Sequence, residues 1–214
     1  MEKIGIFGGS FNPPHVGHLA AARYASQVLG LNRLMLIPSG QTPHKPVPAM
    51  TATGEQRLAM LRLAFAGDPM AEISSMELER DGESFTWDTV QRIRQENPGA
   101  ELYLLLGTDM FRIFYQWKNA DKISREVTLV GMSRGKKGEE EELTAALSRI
   151  EALGGKGVLL KNPVQAISSS QVRRLLAFGG GEAFLPEGLM AYIRREKLYY
   201  VGANLENLPM ERLE

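Results

Sequence analysis

The chain contains no cysteine, which excludes disulfides, thiolate catalysis and zinc sites built on cysteine. Its 25 Lys and Arg residues are balanced by 25 Asp and Glu residues, so it lacks the basic excess of nonspecific nucleic-acid binders. The longest apolar run, at 102–106, is too short to cross a bilayer, and the first apolar run breaks at Gly8-Gly9, unlike a signal peptide. We expect a cytoplasmic protein without nucleic-acid or membrane partners; homo-oligomer formation stays open.

Short apolar runs alternate with amphipathic stretches along the 214 residues. This pattern predicts strands at 3–8, 34–37, 72–78, 101–106, 126–132 and 157–160. It predicts helices at 17–29, from the capping box at 53–56 to 66, at 86–96, up to 153, at 169–178 and at 186–196. The alternation favours an α/β fold with a doubly wound, mostly parallel sheet. We expect one domain at 1–200 with C-terminal helices, and leave 201–214 as an unassigned tail.

The loop after the first strand reads GGSFNPPHVGH, from Gly8 to His18. Gly8 and Gly9 let a ligand approach the backbone closely, and the following helix start offers free N–H groups to a phosphate. His15 and His18 are two of the three histidines in the chain, and their spacing puts both rings on one face of that helix start. The alternative is a tight turn with two partly buried histidines, but this concentration favours a phosphate site.

The two common phosphate-binding loops are absent. The chain contains neither G-x-x-x-x-G-K-[ST] nor G-x-G-x-x-G. Standard kinase, GTPase and NAD(P)-dependent dehydrogenase loops are therefore excluded.

A second motif, ISSSQVR, spans 167–173. Serines before a helix are good N-caps, and Arg173 lies early on that helix, where its guanidinium can reach anionic oxygens. Alone, the motif is better explained as a capped helix that carries a surface arginine. Together, the two motifs favour a triphosphate held from two sides.

The two motifs resemble the signatures of the H-x-G-H nucleotidyltransferase superfamily, whose members transfer AMP or CMP from a nucleoside triphosphate and release pyrophosphate. The resemblance implies a Rossmann-like nucleotidyltransferase fold and catalytic roles for His15, His18 and Arg173. It also implies an ATP site formed by Gly8, Gly9, Ser10, Phe11, His15, His18, Gly107, Asp109, Ser169, Ser170 and Arg173.

Three middle segments resemble the bacterial nicotinate mononucleotide adenylyltransferases: PHK at 43–45, SFTWDT at 84–89, and LGTD at 106–109 followed by Trp117. This resemblance implies a transferase of NAD biosynthesis that joins ATP to nicotinate mononucleotide and forms nicotinate adenine dinucleotide. The implied acceptor site consists of His44, Lys45, Thr86 and Trp117. Small departures from the family pattern, Ser10, Asn12, Phe85 and Ser170, keep the size or polarity of the usual residue.

The chemistry of these residues agrees with that acceptor. An aromatic face such as that of Trp117 can stack on a cationic pyridinium ring, although a core position is equally compatible with its sequence. The Thr86 hydroxyl can donate to the carboxylate, and His44 and Lys45 add positive potential for the phosphate. Asp109 is either a ribose acceptor or a helix N-cap, and we assign Trp87 to packing.

The resemblance implies direct in-line attack of the mononucleotide phosphate on the α-phosphorus of ATP. The nucleophile is already an anion, so no general base or covalent intermediate is required, and catalysis rests on positioning and charge stabilisation. His18 is the preferred contact of the α-phosphate. We expect Mg²⁺ to be bound by phosphates and water, with no metal ligand from the protein.

Several rival functions stay open. The nearest are adenylyltransferases that use phosphopantetheine or nicotinamide mononucleotide, and then a cytidylyltransferase. A non-catalytic ATP-binding sensor would keep both motifs but release no pyrophosphate. A fragment of a class I aminoacyl-tRNA synthetase is disfavoured by chain length, zero net charge and the lack of a K-M-S-K-S loop.

Overall fold

A single parallel sheet forms the centre of the structure, a computed structural model that describes residues 1–40, 52–133, 138–161 and 167–200. Within these ranges the sheet has six strands in the order β3-β2-β1-β4-β5-β6, all paired in parallel. The strands are β1 (Lys3–Gly9), β2 (Arg33–Pro38), β3 (Ala71–Ile73), β4 (Glu101–Gly107), β5 (Thr128–Ser133) and β6 (Lys156–Lys161).

Eight α-helices connect and follow these strands in the described residues. They are α1 (Val16–Leu29), α2 (Gly54–Ala64), α3 (Thr86–Glu96), α4 (Thr108–Ile113), α5 (Ala120–Glu126), α6 (Glu139–Ala152), α7 (Ser169–Ala177) and α8 (Leu189–Arg195). Short 3₁₀ turns occur at Phe114–Gln116, Glu182–Phe184 and Leu198–Tyr200.

Helices cover both faces of the sheet, as predicted. In β4, Leu104 and Leu106 belong to one buried cluster, which also contains residues of α3, α5 and α6. Leu105 points to the opposite face and belongs to a second cluster, with residues of α1 and α2. Each face of the central strands is therefore apolar and covered, which confirms the doubly wound α/β fold. A third cluster joins α2, α7, α8 and Tyr199.

Several bounds differ by two or three residues from the sequence-based assignment, such as the start of α8 at Leu189 and the end of α2 at Ala64, and three differences have a clear cause. The third strand ends at Ile73 rather than 78, because the chain turns at 74–79, where Met76 is buried in the turn. The fifth strand begins at Thr128, because Glu126 is still the last residue of α5. The sequence reading also missed α4 and α5, which have only 6 and 7 residues.

The strand order creates a topological switch point between β1 and β4. The chain runs outward from β1 to β2 and β3, then crosses back to place β4 on the other side of β1. Ligands of such sheets bind beyond the carboxyl ends of the strands at this switch point. Here those ends carry Gly8-Gly9 and Gly107. None of the helices in the described part of the chain is both long and apolar enough to cross a membrane.

Candidate active site

The first motif forms the turn between β1 and the N-terminus of α1. Gly8 is exposed at the end of β1, and a Cβ placed there would meet no protein atom within 4 Å. Phe11, in contrast, is fully buried and has a positive φ of 46°. Its ring lies below Gly9, where a Cβ would be 3.3 Å from Phe11 Cζ. Any contact of Phe11 with ATP would therefore come from its backbone, while Gly8, Gly9 and Ser10 lie at the surface of the turn.

The two histidines of this motif stack on each other. Their ring centroids are 3.7 Å apart and the rings are inclined by 30°. The backbone N–H of His15, the N-cap residue of α1, donates to Nδ1 of His18 over 3.2 Å. Because Nδ1 accepts, the proton of a neutral His18 ring lies on Nε2, which is then the donor for an anionic oxygen. His15 is 4% exposed, whereas His18 is only half-buried, so His18 is the more accessible of the two.

Gly17 permits the close approach of the two motifs. A Cβ on this residue would lie 3.0 Å from Nδ1 of His15 and 3.2 Å from Cγ2 of Ile167, the first residue of the second motif. Both distances are below ordinary van der Waals contact, so the glycine fits where a larger residue would push the segments apart.

The second motif docks directly on the first loop. Ser168 is the N-cap of α7 and forms a capping box with Gln171. The Ser169 hydroxyl donates to the Pro13 carbonyl over 2.9 Å, and Nη1 of Arg173 donates to the Asn12 carbonyl over 2.7 Å. The structure thus brings Ser169 and Arg173 to the phosphate loop predicted from the sequence, with the Ser169 hydroxyl bonded to the loop itself.

Ser170 and Arg173 also contact each other. Nη2 of Arg173 lies 3.2 Å from the Ser170 hydroxyl, and Ser170 is exposed. Burial lowers the pKa of Arg173 from its ordinary value, but an arginine stays charged throughout the physiological range. A half-buried, positively charged guanidinium therefore lies against the loop that precedes α1.

The sequence analysis gave no role in the site to Arg57, Asn12 and Tyr199, which hold this loop. Nη1 of Arg57, on α2, donates to the Ser10 carbonyl over 3.1 Å, and burial lowers the pKa of Arg57. The buried Asn12 side chain accepts from the Tyr199 hydroxyl and from the backbone N–H of Ala52. Arg57 ends the GEQR segment at 54–57, which indicated only the start of a helix. Tyr199 lies 187 positions from Asn12, so no local sequence pattern indicated these contacts.

Gly107 and Asp109 lie at the other side of the switch point, where β4 ends. Gly107 is the N-cap of α4, so Asp109 is not an N-cap, and it lies exposed in the first turn. Thr108 points inward and bonds to Glu139, a buried carboxylate that also accepts from the Ser133 hydroxyl over 2.7 Å. This buried pairing fixes the start of α4 and leaves Asp109 facing solvent.

The chain segments that carry two predicted acceptor residues, Thr86 and Trp117, contact each other through the residues next to them. Thr86 is the first residue of α3, and Phe85 before it is the N-cap. Lys118, next to Trp117, places its ammonium nitrogen 3.8 Å from the centroid of the Phe85 ring. Trp117 is half-buried and packs on Phe114, with ring centroids 5.4 Å apart. Thr86 and the segment of Trp117 therefore border the same region, and Lys118 adds a cation that the sequence analysis did not consider.

A hydrogen-bond network connects the start of α3 to the end of β2. Arg80 donates to the hydroxyls of Ser84 and Thr89, each over 3.0 Å. Thr89 in turn donates to Glu77 over 2.8 Å, and a Cβ on Gly40 would clash with the Glu77 carbonyl. The acceptor side is thus held against the chain that follows β2.

His44 and Lys45, like the tail at 201–214, lie outside the described residues. Trp87 packs against the first buried cluster, in agreement with its assignment to packing. In the four described ranges, no group of three or more His, Asp or Glu side chains is arranged to hold a metal ion.

Comparison with known proteins identifies a family whose members are similar to this chain over most of its length. A model of the cytidylyltransferase-like family matches residues 6–175. A protein of Geobacillus kaustophilus, named "Probable nicotinate-nucleotide adenylyltransferase", is 38% identical over 200 residues, which cover 93% of this chain and 87% of that protein. A protein of the same name from Neisseria meningitidis serogroup C is 37% identical over 202 residues, which cover 93% and 99%.

The fold is also similar to a solved structure, Plasmodium falciparum nicotinic acid mononucleotide adenylyltransferase complexed with NaAD. The TM-score is 0.74 at 20% sequence identity, and the match covers 95% of this chain and all of that chain (100%). At this identity the likeness shows the fold alone.

Proposed function

Because this chain belongs to the cytidylyltransferase-like family and, within it, to the nicotinate-nucleotide adenylyltransferases, we propose that it transfers the adenylyl group of ATP to nicotinate mononucleotide. The products are nicotinate adenine dinucleotide, an intermediate of NAD biosynthesis, and pyrophosphate. The observation that carries the proposal is the docking of the second motif on the first, through Ser169 and Arg173, at the switch point of the sheet.

The reaction requires a site that binds negative charge and aligns two phosphates. The mononucleotide phosphate attacks the α-phosphorus of ATP in line, the new P–O bond forms, and the bond to the pyrophosphate oxygen breaks. We assign the α-phosphate to His18, whose Nε2–H can donate as charge builds on the phosphoryl oxygens. We assign the β- and γ-phosphates to Arg173 and the start of α7. Gly8, Gly9 and Ser10 give the triphosphate close access to the backbone.

Mg²⁺ is proposed to accompany the triphosphate. The described residues offer no carboxylate cluster to hold the ion, so the phosphate oxygens and water would be its ligands. When bound, Mg²⁺ neutralises phosphate charge. The residues of the protein position the two substrates and donate hydrogen bonds to their phosphates.

The acceptor is proposed to bind between the start of α3 and the segment of Trp117. Thr86 offers a hydroxyl and first-turn backbone donors to the nicotinate carboxylate, and Trp117 offers an aromatic face to the pyridinium ring. His44 and Lys45 remain assigned to the acceptor phosphate from the sequence alone. The balanced charge supports a cytoplasmic location, and homo-oligomer formation stays open.

Pyrophosphate release tests this function. The purified chain is incubated with ATP and, separately, nicotinate mononucleotide, nicotinamide mononucleotide or phosphopantetheine, and also with CTP in place of ATP. We expect release to be fastest with ATP and nicotinate mononucleotide. A higher kcat/KM with nicotinamide mononucleotide or phosphopantetheine would reassign the substrate, and binding of ATP without release in any mixture would indicate a sensor.

A further inference from the structure

Tyr199, in the last 3₁₀ turn of the described chain, makes a buried hydrogen bond with the first loop. Its hydroxyl donates to Oδ1 of Asn12 over 2.7 Å, and both residues are 2% exposed. The same oxygen accepts the backbone N–H of Ala52 over 3.1 Å. Two donors from distant parts of the chain therefore fix the orientation of one amide side chain.

The backbone of Asn12 is bonded to the second motif. Its carbonyl accepts from Nη1 of Arg173, and the carbonyl of the next residue, Pro13, accepts from the Ser169 hydroxyl. Because the Asn12 amide is anchored by two donors and joins the backbone through a single Cβ, it restrains the position of the Asn12 Cα and of the carbonyl bonded to it. Tyr199 thus restrains, through one residue, the carbonyl on which the guanidinium of Arg173 is held.

The electrostatic surroundings keep Tyr199 a donor. Burial raises the pKa of its phenol above the ordinary value, while the positive charges of Arg173 and Arg57 act in the opposite direction. The net pKa stays high, so the phenol is protonated at neutral pH. Both guanidinium groups are near enough to the hydroxyl to lower its pKa, and each holds a carbonyl of the first loop, Arg173 that of Asn12 and Arg57 that of Ser10.

We propose that Tyr199 is a positioning residue of the adenylyl-transfer site: its hydroxyl orients Asn12, and Asn12 in turn orients Arg173 toward the phosphates of ATP. This inference rests on the proposed function. It assigns a role in the reaction to a residue that neither motif contains and that touches no reacting atom.

The competing explanation is that Tyr199 only packs in the third buried cluster. Its hydroxyl is 3.9 Å from the sulfur of Met60, and its ring belongs to the cluster of α2, α7 and α8. Tyr199→Phe separates the two explanations, because it keeps the ring in the cluster and removes only the hydroxyl. Tyr192→Phe is a matched control on α8, because the half-buried Tyr192 ring packs against the same cluster and lies beside Arg195.

The kinetic test is pyrophosphate release by the full chain. We expect Tyr199→Phe to lower kcat about tenfold, the effect of one lost hydrogen bond of ordinary strength. KM for nicotinate mononucleotide should stay within about twofold, because Thr86 and Trp117 lie on other elements. Tyr192→Phe should leave both values unchanged. An unchanged kcat in Tyr199→Phe would overturn the proposal.

A double-mutant cycle tests the path through Arg173. If Tyr199 acts by orienting that guanidinium, Tyr199→Phe should change kcat by less than about twofold once Arg173→Met is present. A second tenfold loss in that background would assign Tyr199 to general packing and overturn the proposal.

Asn12→Asp keeps an acceptor for both donors and should retain most of the activity, whereas Asn12→Leu should lose it; equal losses would also contradict the inference.

A binding measurement separates this inference from the proposed function. If the wild-type chain transfers no adenylyl group to any mononucleotide, the proposed function fails. Calorimetric titration with ATP then still tests the positioning role, because Tyr199→Phe should weaken ATP binding several-fold relative to wild type and Tyr192→Phe. Equal affinities in all three proteins would contradict it.

Discussion

Gly17 lies between His15 and His18 in the sequence, and replacing it with alanine should impair catalysis more than folding. The new Cβ would lie 3.0 Å from Nδ1 of His15, 3.1 Å from its Cε1 and 3.2 Å from Cγ2 of Ile167. Ordinary carbon contacts need about 3.5–4.0 Å, so one or both neighbours must move by several tenths of an ångström.

Two opposing contributions determine the stability of this variant. Overpacking a buried contact costs about 1–3 kcal/mol of the free energy of unfolding. Alanine recovers up to about 1 kcal/mol, because it is a better helix former than glycine and Gly17 is the second residue of α1. We expect a net loss of about 0–3 kcal/mol, which a domain of ordinary stability tolerates and urea denaturation can measure.

The loss of kcat should be larger than the loss of stability, because the histidine rings that the new Cβ displaces are the proposed contacts of the ATP phosphates. The shift separates His15, and with it the stacked His18 ring, from the start of α7. Misplacing catalytic groups by about 1 Å costs on the order of 10²-fold, so a smaller shift should lower kcat about 10- to 100-fold. Pyrophosphate release at saturating ATP and nicotinate mononucleotide measures this value.

Two other glycines provide matched controls. A Cβ on Gly99 or on Gly8 meets no protein atom within 4 Å, so neither alanine variant should lose stability. Gly99→Ala, before β4, should also keep full activity. Gly8→Ala should raise KM for ATP, because its Cβ protrudes where the triphosphate is proposed to bind. If Gly17→Ala kept kcat within about twofold of wild type, the close docking of the two motifs would not matter for catalysis.

Three further variants test individual roles. His18→Ala should lower kcat about 10²–10³-fold, the usual effect of losing one donor to transition-state charge, and a near-normal kcat in a folded variant would remove that role. Trp117→Ala should raise KM for nicotinate mononucleotide and leave that for ATP intact; an unchanged value would refute stacking. Lys118→Met should reduce the preference for nicotinate over nicotinamide mononucleotide a few-fold, because its ammonium lies beside the start of α3. Lys122→Met, which removes a cation 5.7 Å from Trp87, is the control and should leave that ratio unchanged.

The local elements of this fold were largely predictable from sequence. Apolar runs indicated the central strands, and α3 has the predicted bounds of 86–96 because its Val90 and Ile93 face the core while Pro98 follows its end. The short α4 and α5 were not predictable, because helices of 6 and 7 residues do not complete a clear 3.6-residue repeat.

The sequence indicated which segments form the candidate site, but it did not indicate which residues of those segments contact each other. The two motifs indicated that His18 and Arg173 would serve one ligand, and the fold brings both to the same loop. The burial of Phe11 and the bond from Ser169 to Pro13 depend on the tertiary fold, and neither leaves a local trace. The same holds for Tyr199, whose partner is at the other end of the described chain.

The central claim is that the α-phosphorus of ATP is transferred to the phosphate of nicotinate mononucleotide. Its most direct test follows ATP labelled at either the α- or the γ-phosphorus through one round of turnover. The α-label should appear in nicotinate adenine dinucleotide and the γ-label in pyrophosphate, in equal amounts and only when the mononucleotide is present. Release of the γ-label as orthophosphate, or of pyrophosphate without the mononucleotide, would contradict the account.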